Sequence, residues 1–192
     1  MKCYVPQVTL LTLFFTFFTT AQNNFSTFEN DLLPLEKVEK SITTTTRNSE
    51  NHTTLLAIMK AADLAEVLSY DGPYTVFAPS NMAFDKSLSF KTSDLFDPEN
   101  KKDLQALLRY HIIAGEFSAS KILQAMCSGE GKAVFTTVQG ENLTATMSGT
   151  DIILTDSFGN SARITAADSN QCNGVIHEID SVIFPKKISF LP

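Results

Sequence analysis

Histidine is the side chain best suited to acid–base chemistry near neutral pH, and the three histidines of this chain are widely separated. His177 shares one face of a predicted strand with Val175 and Ile179, because side chains alternate along a strand. A general base is one interpretation of His177. A buried, hydrogen-bonded core histidine is the favoured one, because the rest of that face is apolar. His111 extends a leucine stripe and receives the same interpretation.

Other patterns that carry chemistry are missing from the sequence. It contains no Gly-x-Ser-x-Gly motif and no glycine-rich phosphate loop. The segment Asp156–Asn160 (DSFGN) has some features of a calcium loop, but it lacks the later glutamate and fits a hairpin turn better. We therefore expect a protein that is not an enzyme, with no catalytic residue, no cofactor and no metal site.

The chain starts with the features of a secretory signal peptide. Lys2 gives a positive charge, Val8–Phe18 is an apolar run broken only by threonines, and small residues follow as far as Ala21. The alternative is a transmembrane helix, but eleven residues span much less than a hydrocarbon core of about 30 Å. We predict cleavage after Ala21 and an extracellular protein, or a periplasmic or cell-surface one in a bacterium. Export makes three sequons weak glycosylation candidates, at Asn24, Asn51 and Asn142.

Removal of the predicted signal peptide reduces the number of cysteines from three to two. Cys3 leaves with it, and Cys127 and Cys172 remain. An oxidising compartment favours a disulfide between two remaining thiols, so a Cys127–Cys172 bridge is predicted. Two free thiols are the alternative, because the two residues need not be adjacent in space. A catalytic cysteine is disfavoured because neither segment supplies a neighbouring histidine.

Composition and charge describe one ordinary globular domain. The 192 residues are 43% hydrophobic and 19% charged, with a net charge of −6. The acidic balance argues against a nucleic-acid-binding protein, which would need a basic surface. The predicted organisation is a signal peptide over 1–21, a leader over 22–35, a domain over 36–187 and a tail over 188–192.

Helical signals dominate the first part of the domain. Thr53 or Thr54 is predicted to cap a helix whose apolar face includes Leu55 and Ala62, with further helical turns as far as Leu68, and Thr43–Thr46 is predicted as a loop or a weak helix. Tyr74–Ala78 is rich in β-formers, and Ser80 can cap a short helix after it. Two more helices are predicted, one opened by Asp97-Pro98 with a stripe at Leu104, Leu107, Leu108 and His111, and one from Ser118 or Ser120 to Met126.

Hairpin signals dominate the second part. Four short alternating segments between residues 133 and 166 are separated by glycine-containing turns, which is typical of an antiparallel meander. A last strand is predicted over Val175–Phe184. Helices followed by consecutive hairpins indicate an α+β fold, not a parallel βαβ sheet.

Three segments, in this order, resemble the signatures of the fasciclin-like domain family. They are Tyr74–Phe84 (YTVFAPSNMAF), Leu108–Gly115 (LRYHIIAG) and Asn173–Pro185 (NGVIHEIDSVIFP). The segments His52–Leu56 and Thr136–Gly140 resemble its secreted, single-domain bacterial branch. The resemblance implies a β-wedge sheet with helices packed at one side, and Ser80, Asn81 and His177 as residues of the structural motif. Glu178 occupies a position where the family more often has an aliphatic residue.

The resemblance also implies a function without catalysis. It suggests cell adhesion or binding of a cell-surface or matrix protein or glycan, and the Tyr-His element is linked to adhesion in the family. The candidate interaction residues are therefore Tyr110, His111, Leu108 and Ile112. Animal relatives carry a second adhesive Asp-Ile pair, but here Asp168 is followed by serine, which argues against integrin binding there. The alternative function is a carrier of an apolar small molecule such as a carotenoid.

Overall fold

The computed structural model describes residues 40–87 and 96–186. The predicted signal peptide, the leader, Asn24 and the C-terminal tail lie outside these residues. Within the described ranges, no helix is long and apolar enough to cross a membrane.

The fold is α+β, as predicted from the sequence. Six α-helices are described: α1 Ile42–Arg47, α2 Thr53–Ala61, α3 Val67–Tyr70, α4 Asn81–Ser87, α5 Lys101–Tyr110 and α6 Ala119–Ser128. Two short 3-10 turns precede α2 and α5. The 3-10 turns are Glu50–His52 and Pro98–Asn100. Seven strands complete the described fold: β1 Tyr74–Pro79, β2 Ile112–Ala114, β3 Lys132–Thr136, β4 Asn142–Ser148, β5 Asp151–Thr155, β6 Ser161–Gln171 and β7 Gly174–Ile179.

The strands form one sheet in the order β2-β1-β7-β6-β5-β4-β3. The predicted meander is the run from β3 to β6, in which each strand pairs antiparallel with the next. β1 and β7 pair in parallel, with Tyr74 opposite Gly174 and Pro79 opposite Ile179. The two ends of the sheet meet where Val138 N–H donates to the Ile112 carbonyl at 2.8 Å. The sheet therefore curves almost into a barrel.

Side-chain caps explain where the first helices begin. The threonine-rich segment is helical: Ser41 Oγ accepts the Thr44 N–H at 3.3 Å, and the Thr46 hydroxyl donates to the Ile42 carbonyl at 2.9 Å. The predicted cap of α2 by Thr53 or Thr54 is wrong. Asn81 Oδ1 accepts the Thr54 N–H at 3.1 Å, so this cap comes from a residue distant in sequence.

The β1–α4 junction carries two residues of the first family signature. Ser80 Oγ accepts the Ala83 N–H at 3.2 Å, as expected of a cap. Asn81 caps α2 and also donates through Nδ2 to the Glu50 carbonyl at 2.9 Å. The junction therefore fixes the start of α2 against the end of β1.

The last strand is shorter than predicted. β7 ends at Ile179, because its parallel neighbour β1 ends at Pro79 and offers no further ladder partner. Residues 182–184 are nevertheless buried. Side chains accept hydrogen bonds from the backbone N–H groups of this segment. Ser87 Oγ accepts the Val182 N–H, and His111 Nε2 accepts the Ile183 N–H at 3.4 Å. This closing segment is held by side-chain acceptors in place of a strand ladder.

Candidate functional site

The Tyr-His element lies at the junction of α5 and β2, inside the protein. Leu108, Tyr110, His111 and Ile112 each have at most 3% of their surface exposed. Leu108 and Ile112 belong to one apolar core and Tyr110 belongs to the other. In this conformation the four candidate interaction residues do not form an exposed apolar surface. Their participation in binding stays a prediction. Because they are buried, they would act by positioning the exposed residues beside them.

Tyr110 joins α5 to the meander. Its hydroxyl donates to the Asn142 carbonyl at 3.0 Å. Burial, followed by the negative charge of Asp156, raises the pKa of Tyr110 to about 12. The phenol therefore stays protonated at neutral pH and acts as a hydrogen-bond donor within the fold.

His111 is a core histidine, in agreement with the favoured interpretation. Nδ1 lies 2.8 Å from the Leu107 carbonyl and must donate to it, so neutral His111 carries its proton on Nδ1. Nε2 then accepts the Ile183 N–H of the closing segment. Burial lowers the pKa of His111 to about 4. Both nitrogens are engaged, which leaves none for proton transfer to a substrate.

His177 is also a core histidine. Nε2 donates to the Phe117 carbonyl at 2.8 Å, Nδ1 accepts the Asp168 N–H at 3.2 Å, and the ring stacks on Phe77. Burial lowers its pKa, which opposes protonation. A general base needs a free nitrogen within reach of substrate, so the structure supports the structural interpretation.

Asp168, at the position of the second adhesive element of animal relatives, makes a hydrogen bond to the start of α6. It lies in a bulged part of β6 at φ 60°. Its Oδ1 accepts the N–H of Ala119, the first residue of α6, at 2.7 Å. The carboxylate is therefore already occupied by a helix N-terminus, where a negative charge is favourable.

An exposed groove lies directly beside the buried Tyr-His element. We call it the Arg109 groove, and its volume is about 310 Å³. It is lined by Leu64, Val67, Leu68, Tyr74, Arg109, Ile112 and Val138. Arg109 is exposed, and Tyr70, on the same helix as Val67, is 86% exposed. The groove therefore has a largely apolar lining, with Arg109 as its cation and Tyr74 as its aromatic residue.

A second cavity lies under α1, on the other side of β1 from β2. We call it the His52 recess, and its volume is about 210 Å³. Its lining consists of Thr45, Thr46, Ser49, His52, Ala78, Ala166, Ser169, Ile176 and Glu178. Burial lowers the pKa of His52, while the Glu178 carboxylate and the Ala78 carbonyl act in the opposite direction. Among the described residues, no group of three or more histidines, cysteines or acids is placed to hold a metal ion.

The predicted Cys127–Cys172 bridge is not formed in the structure, where both residues are exposed free thiols. Cys172 lies in the β6–β7 turn, and its N–H donates to the Lys40 carbonyl. α6 is tied to β6 at Ala119, and Cys127 lies eight residues further along the helix, about 12 Å at the helical rise. The structure thus holds the two cysteines as separate thiols, one on α6 and one in the β6–β7 turn.

Two of the three sequons fall within the described residues. Asn51 is exposed in the 3-10 turn before α2, and Asn142 is exposed at the start of β4. The Asn142 side chain accepts a hydrogen bond from the Thr136 hydroxyl at 3.3 Å. Both asparagines thus have the surface position that a glycan requires.

Sequence reasoning did not identify three of the residues that shape these sites. Arg109 stands inside the second family segment, but its exposure depends on how α5 packs. His52 and Glu178 are 126 residues apart and meet only in the fold. One signal was available, since a charged Glu178 in a segment that usually has an aliphatic residue indicates a special environment.

Comparison with known proteins gives concordant matches. The sequence profile of the Fasciclin domain matches residues 50–185. Protein sll1483 of Synechocystis sp. is 39% identical over 137 residues, which are 71% of this chain and 69% of that protein. Cell surface glycolipoprotein MPB83 of Mycobacterium bovis is 34% identical over 114 residues, which are 59% of this chain and 44% of that protein. The solved FAS1 domain pair of the insect cell adhesion molecule fasciclin I has a TM-score of 0.67 at 14% identity, covering 77% of this chain and 51% of the pair.

Proposed function

Since the chain belongs to the fasciclin domain family, we propose that it is a secreted, non-catalytic module that binds a cell-surface or matrix protein or glycan. Its relatives include a cell surface glycolipoprotein and, by fold, a cell adhesion molecule. The observation that carries the proposal is the position of the Arg109 groove, which is the exposed surface next to the Tyr-His element.

The groove has the composition of a binding surface. Arginine and tyrosine are the residues that most often dominate binding energy, particularly around a dry apolar centre. Here Arg109 lines the groove together with Ile112 and Leu68, and the exposed Tyr70 ends α3, the helix that contributes Leu68. The buried residues Leu108, Tyr110 and His111 fix the end of α5 and so position Arg109. In this proposal the Tyr-His element shapes the interaction surface and does not touch the partner.

The non-catalytic part of the proposal is supported by the state of the histidines. His111 and His177 have both nitrogens engaged with the backbone. The Ser49 hydroxyl contacts His52 Nδ1 at 2.8 Å, but this is a contact between residues three apart around a 3-10 turn. Such a contact between neighbouring side chains orients the ring and requires no catalytic role.

The test is binding to cell-surface and matrix extracts by the full chain and two variants, Arg109→Glu and Tyr70→Ser. We expect each variant to lose about tenfold in binding, as hot-spot residues do. The matched control is Met82→Ser, which removes another exposed apolar side chain at the opposite end of β1. Equal binding by the unchanged chain, the two groove variants and the control would show that the groove is not the binding surface. No binding to either extract by any of the four proteins would argue against adhesion.

Secretion is tested separately from binding. We expect the protein in the exported fraction with Gln22 as its first residue, as cleavage after Ala21 requires. Intact mass of the purified protein gives this directly. A cell-associated product that keeps residues 1–21 would contradict export by cleavage.

A carrier of an apolar small molecule such as a carotenoid is the second candidate, because the floor of the Arg109 groove is apolar. Its volume of about 310 Å³ lies at the lower end of ligand pockets, which span roughly 300–1,000 Å³. The groove therefore suits part of such a molecule better than an entire long chain. Visible absorption of protein purified from its native host distinguishes a pigment carrier from the adhesion module.

A further inference from the structure

The His52 recess is created by a row of three residues across the centre of the sheet. Ala78 on β1 and Ala166 on β6 are both register partners of Glu178 on β7. The two alanines are small, so space remains on either side of the carboxylate. Thr45, Thr46 and Ser49 line the recess from the side of α1. The result is a cavity of about 210 Å³ with one acid in its floor.

His52 is held with one nitrogen directed into this cavity. Its Nδ1 lies 2.8 Å from Ser49 Oγ, which fixes the orientation of the ring. Its Nε2 is buried and has no hydrogen bond of normal geometry within the described part of the chain, although the Ala78 carbonyl and the Glu178 carboxylate both lie near it. A buried polar atom without a partner is costly and calls for an explanation.

Glu178 is held in a complementary way. The Thr165 hydroxyl donates to Glu178 Oε1 at 3.1 Å. The other carboxylate oxygen, Oε2, faces His52 Nε2 at 3.5 Å. Each side chain thus has a hydrogen bond on its far atom, as metal ligands in proteins generally do, while the near atoms face each other.

The separation of the two free atoms fits a shared metal ion better than a hydrogen bond. N–H···O bonds have heavy-atom distances of about 2.7–3.2 Å, and the observed 3.5 Å is longer. Two tetrahedral ligands at about 2.1 Å from zinc lie about 3.4 Å apart. We propose that the His52 recess binds a divalent transition-metal ion of the Zn²⁺ type through His52 Nε2 and Glu178 Oε2.

The ligand set defines what kind of ion and what kind of site this is. Imidazole suits zinc, copper and nickel, whereas Mg²⁺ and Ca²⁺ prefer oxygen atoms alone. Two protein ligands leave at least two positions for water or for an oxygen atom of an external molecule. Thr45, Ser49 and Ser169 also line the recess, so part of its wall is polar. The site is therefore open and of moderate affinity, unlike a closed structural zinc site.

The test is a Zn²⁺ titration of the full chain, free of affinity histidines, followed by the imidazole nitrogen resonances. Cys127→Ser and Cys172→Ser are introduced first, because exposed thiols also bind zinc. We expect the His52 Nε2 resonance to shift and to saturate below millimolar Zn²⁺. The resonances of His111 and His177 should not move, because both of their nitrogens are engaged.

Matched variants make the assignment specific. Glu178→Gln and His52→Gln should each weaken Zn²⁺ binding by at least about tenfold, and Glu116→Gln, an exposed acid on the loop before α6, should not. Thermal unfolding of each variant shows that it is folded. No shift at His52 up to millimolar Zn²⁺, or equal affinity in Glu178→Gln, would overturn the proposal. A proton on Nε2 shared between Glu178 and the Ala78 carbonyl would then account for the geometry.

Discussion

The carboxylate of Asp156 accepts the backbone N–H of Phe184 at 3.1 Å and so joins the β5–β6 turn to the segment that closes the domain. Asp156 is buried, and its Oδ1 accepts the N–H groups of Phe158 and Asn160, both at 2.9 Å. The DSFGN segment is thus a turn whose acid is saturated by amide donors. Such a carboxylate has no free oxygen to offer a calcium ion, in agreement with the hairpin interpretation.

Replacement of Asp156 tests this connection. Asp156→Ala leaves three buried or partly buried N–H groups without an acceptor, so we expect a loss of about 3 kcal/mol or more in the free energy of unfolding. Urea denaturation measures it. Asp85→Ala, which alters an exposed acid on α4, should change the same quantity by no more than about 0.5 kcal/mol. Equal effects of the two substitutions would show that the Asp156–Phe184 connection does not stabilise the fold.

Tyr110 is predicted to stabilise the fold without contacting a partner. Tyr110→Phe removes the bond to the Asn142 carbonyl and should cost about 1 kcal/mol. Tyr110→Ala also opens a cavity in the core and should cost about 3–5 kcal/mol. Partner binding by folded Tyr110→Phe should equal that of the original protein. The absorbance titration of Tyr110→Phe should lack the phenol that titrates with a pKa of about 12 in the original protein. Loss of binding by a stably folded Tyr110→Phe would restore a direct role for this side chain.

The oxidation state of the two cysteines can be measured by counting reactive thiols. The exposed positions of Cys127 and Cys172 predict that both thiols react with a thiol reagent in the native protein. The same number of reactive thiols should be found with and without prior reduction. Thiols that appear only after reduction would support the bridge predicted from the sequence, and would require α6 and the β6–β7 turn to lie closer together.

Periodicity and local chemistry were sufficient for most elements of the fold. Leu104, Leu107 and Leu108 are buried as their helical spacing predicts, and Ser118 caps α6 through the Lys121 N–H. The glycine-containing turns separate β3, β4, β5 and β6 as expected. These features depend on residues a few positions apart, and their physics is contained in the local sequence.

The features that failed or were missed depend on residues that are distant in sequence. The cap of α2 comes from Asn81, across 27 residues. The end of β7 depends on where β1 ends, and the exposure of Arg109 depends on the packing of α5 against the sheet. The same holds for the meeting of His52 and Glu178. The sequence therefore could not show that the entire Tyr-His element is buried, or which surface beside it is open.

Acid should destabilise the domain through His111. Its folded-state pKa of about 4 lies below the ordinary value of 6.5, so between these pH values the unfolded chain takes up a proton that the folded protein refuses. Stability is therefore complete above about pH 6.5 and falls by about 1.4 kcal/mol per pH unit towards pH 4, about 3 kcal/mol in total. The hydrogen bond to the Leu107 carbonyl and the Asp156 charge oppose this effect only in part, and burial of His177 and His52 acts in the same direction as burial of His111.

Urea unfolding from pH 7.5 down to pH 4.5 measures this slope. Asn at position 111 keeps a donor and an acceptor but does not titrate in this range. His111→Asn should therefore be less stable than the original protein at neutral pH and should lose less stability on acidification. The difference in slope isolates His111, because His177 is present in both proteins. Parallel curves for the two proteins would mean that His111 takes up a proton as readily in the folded protein as in the unfolded chain, and that its burial is not a source of acid sensitivity.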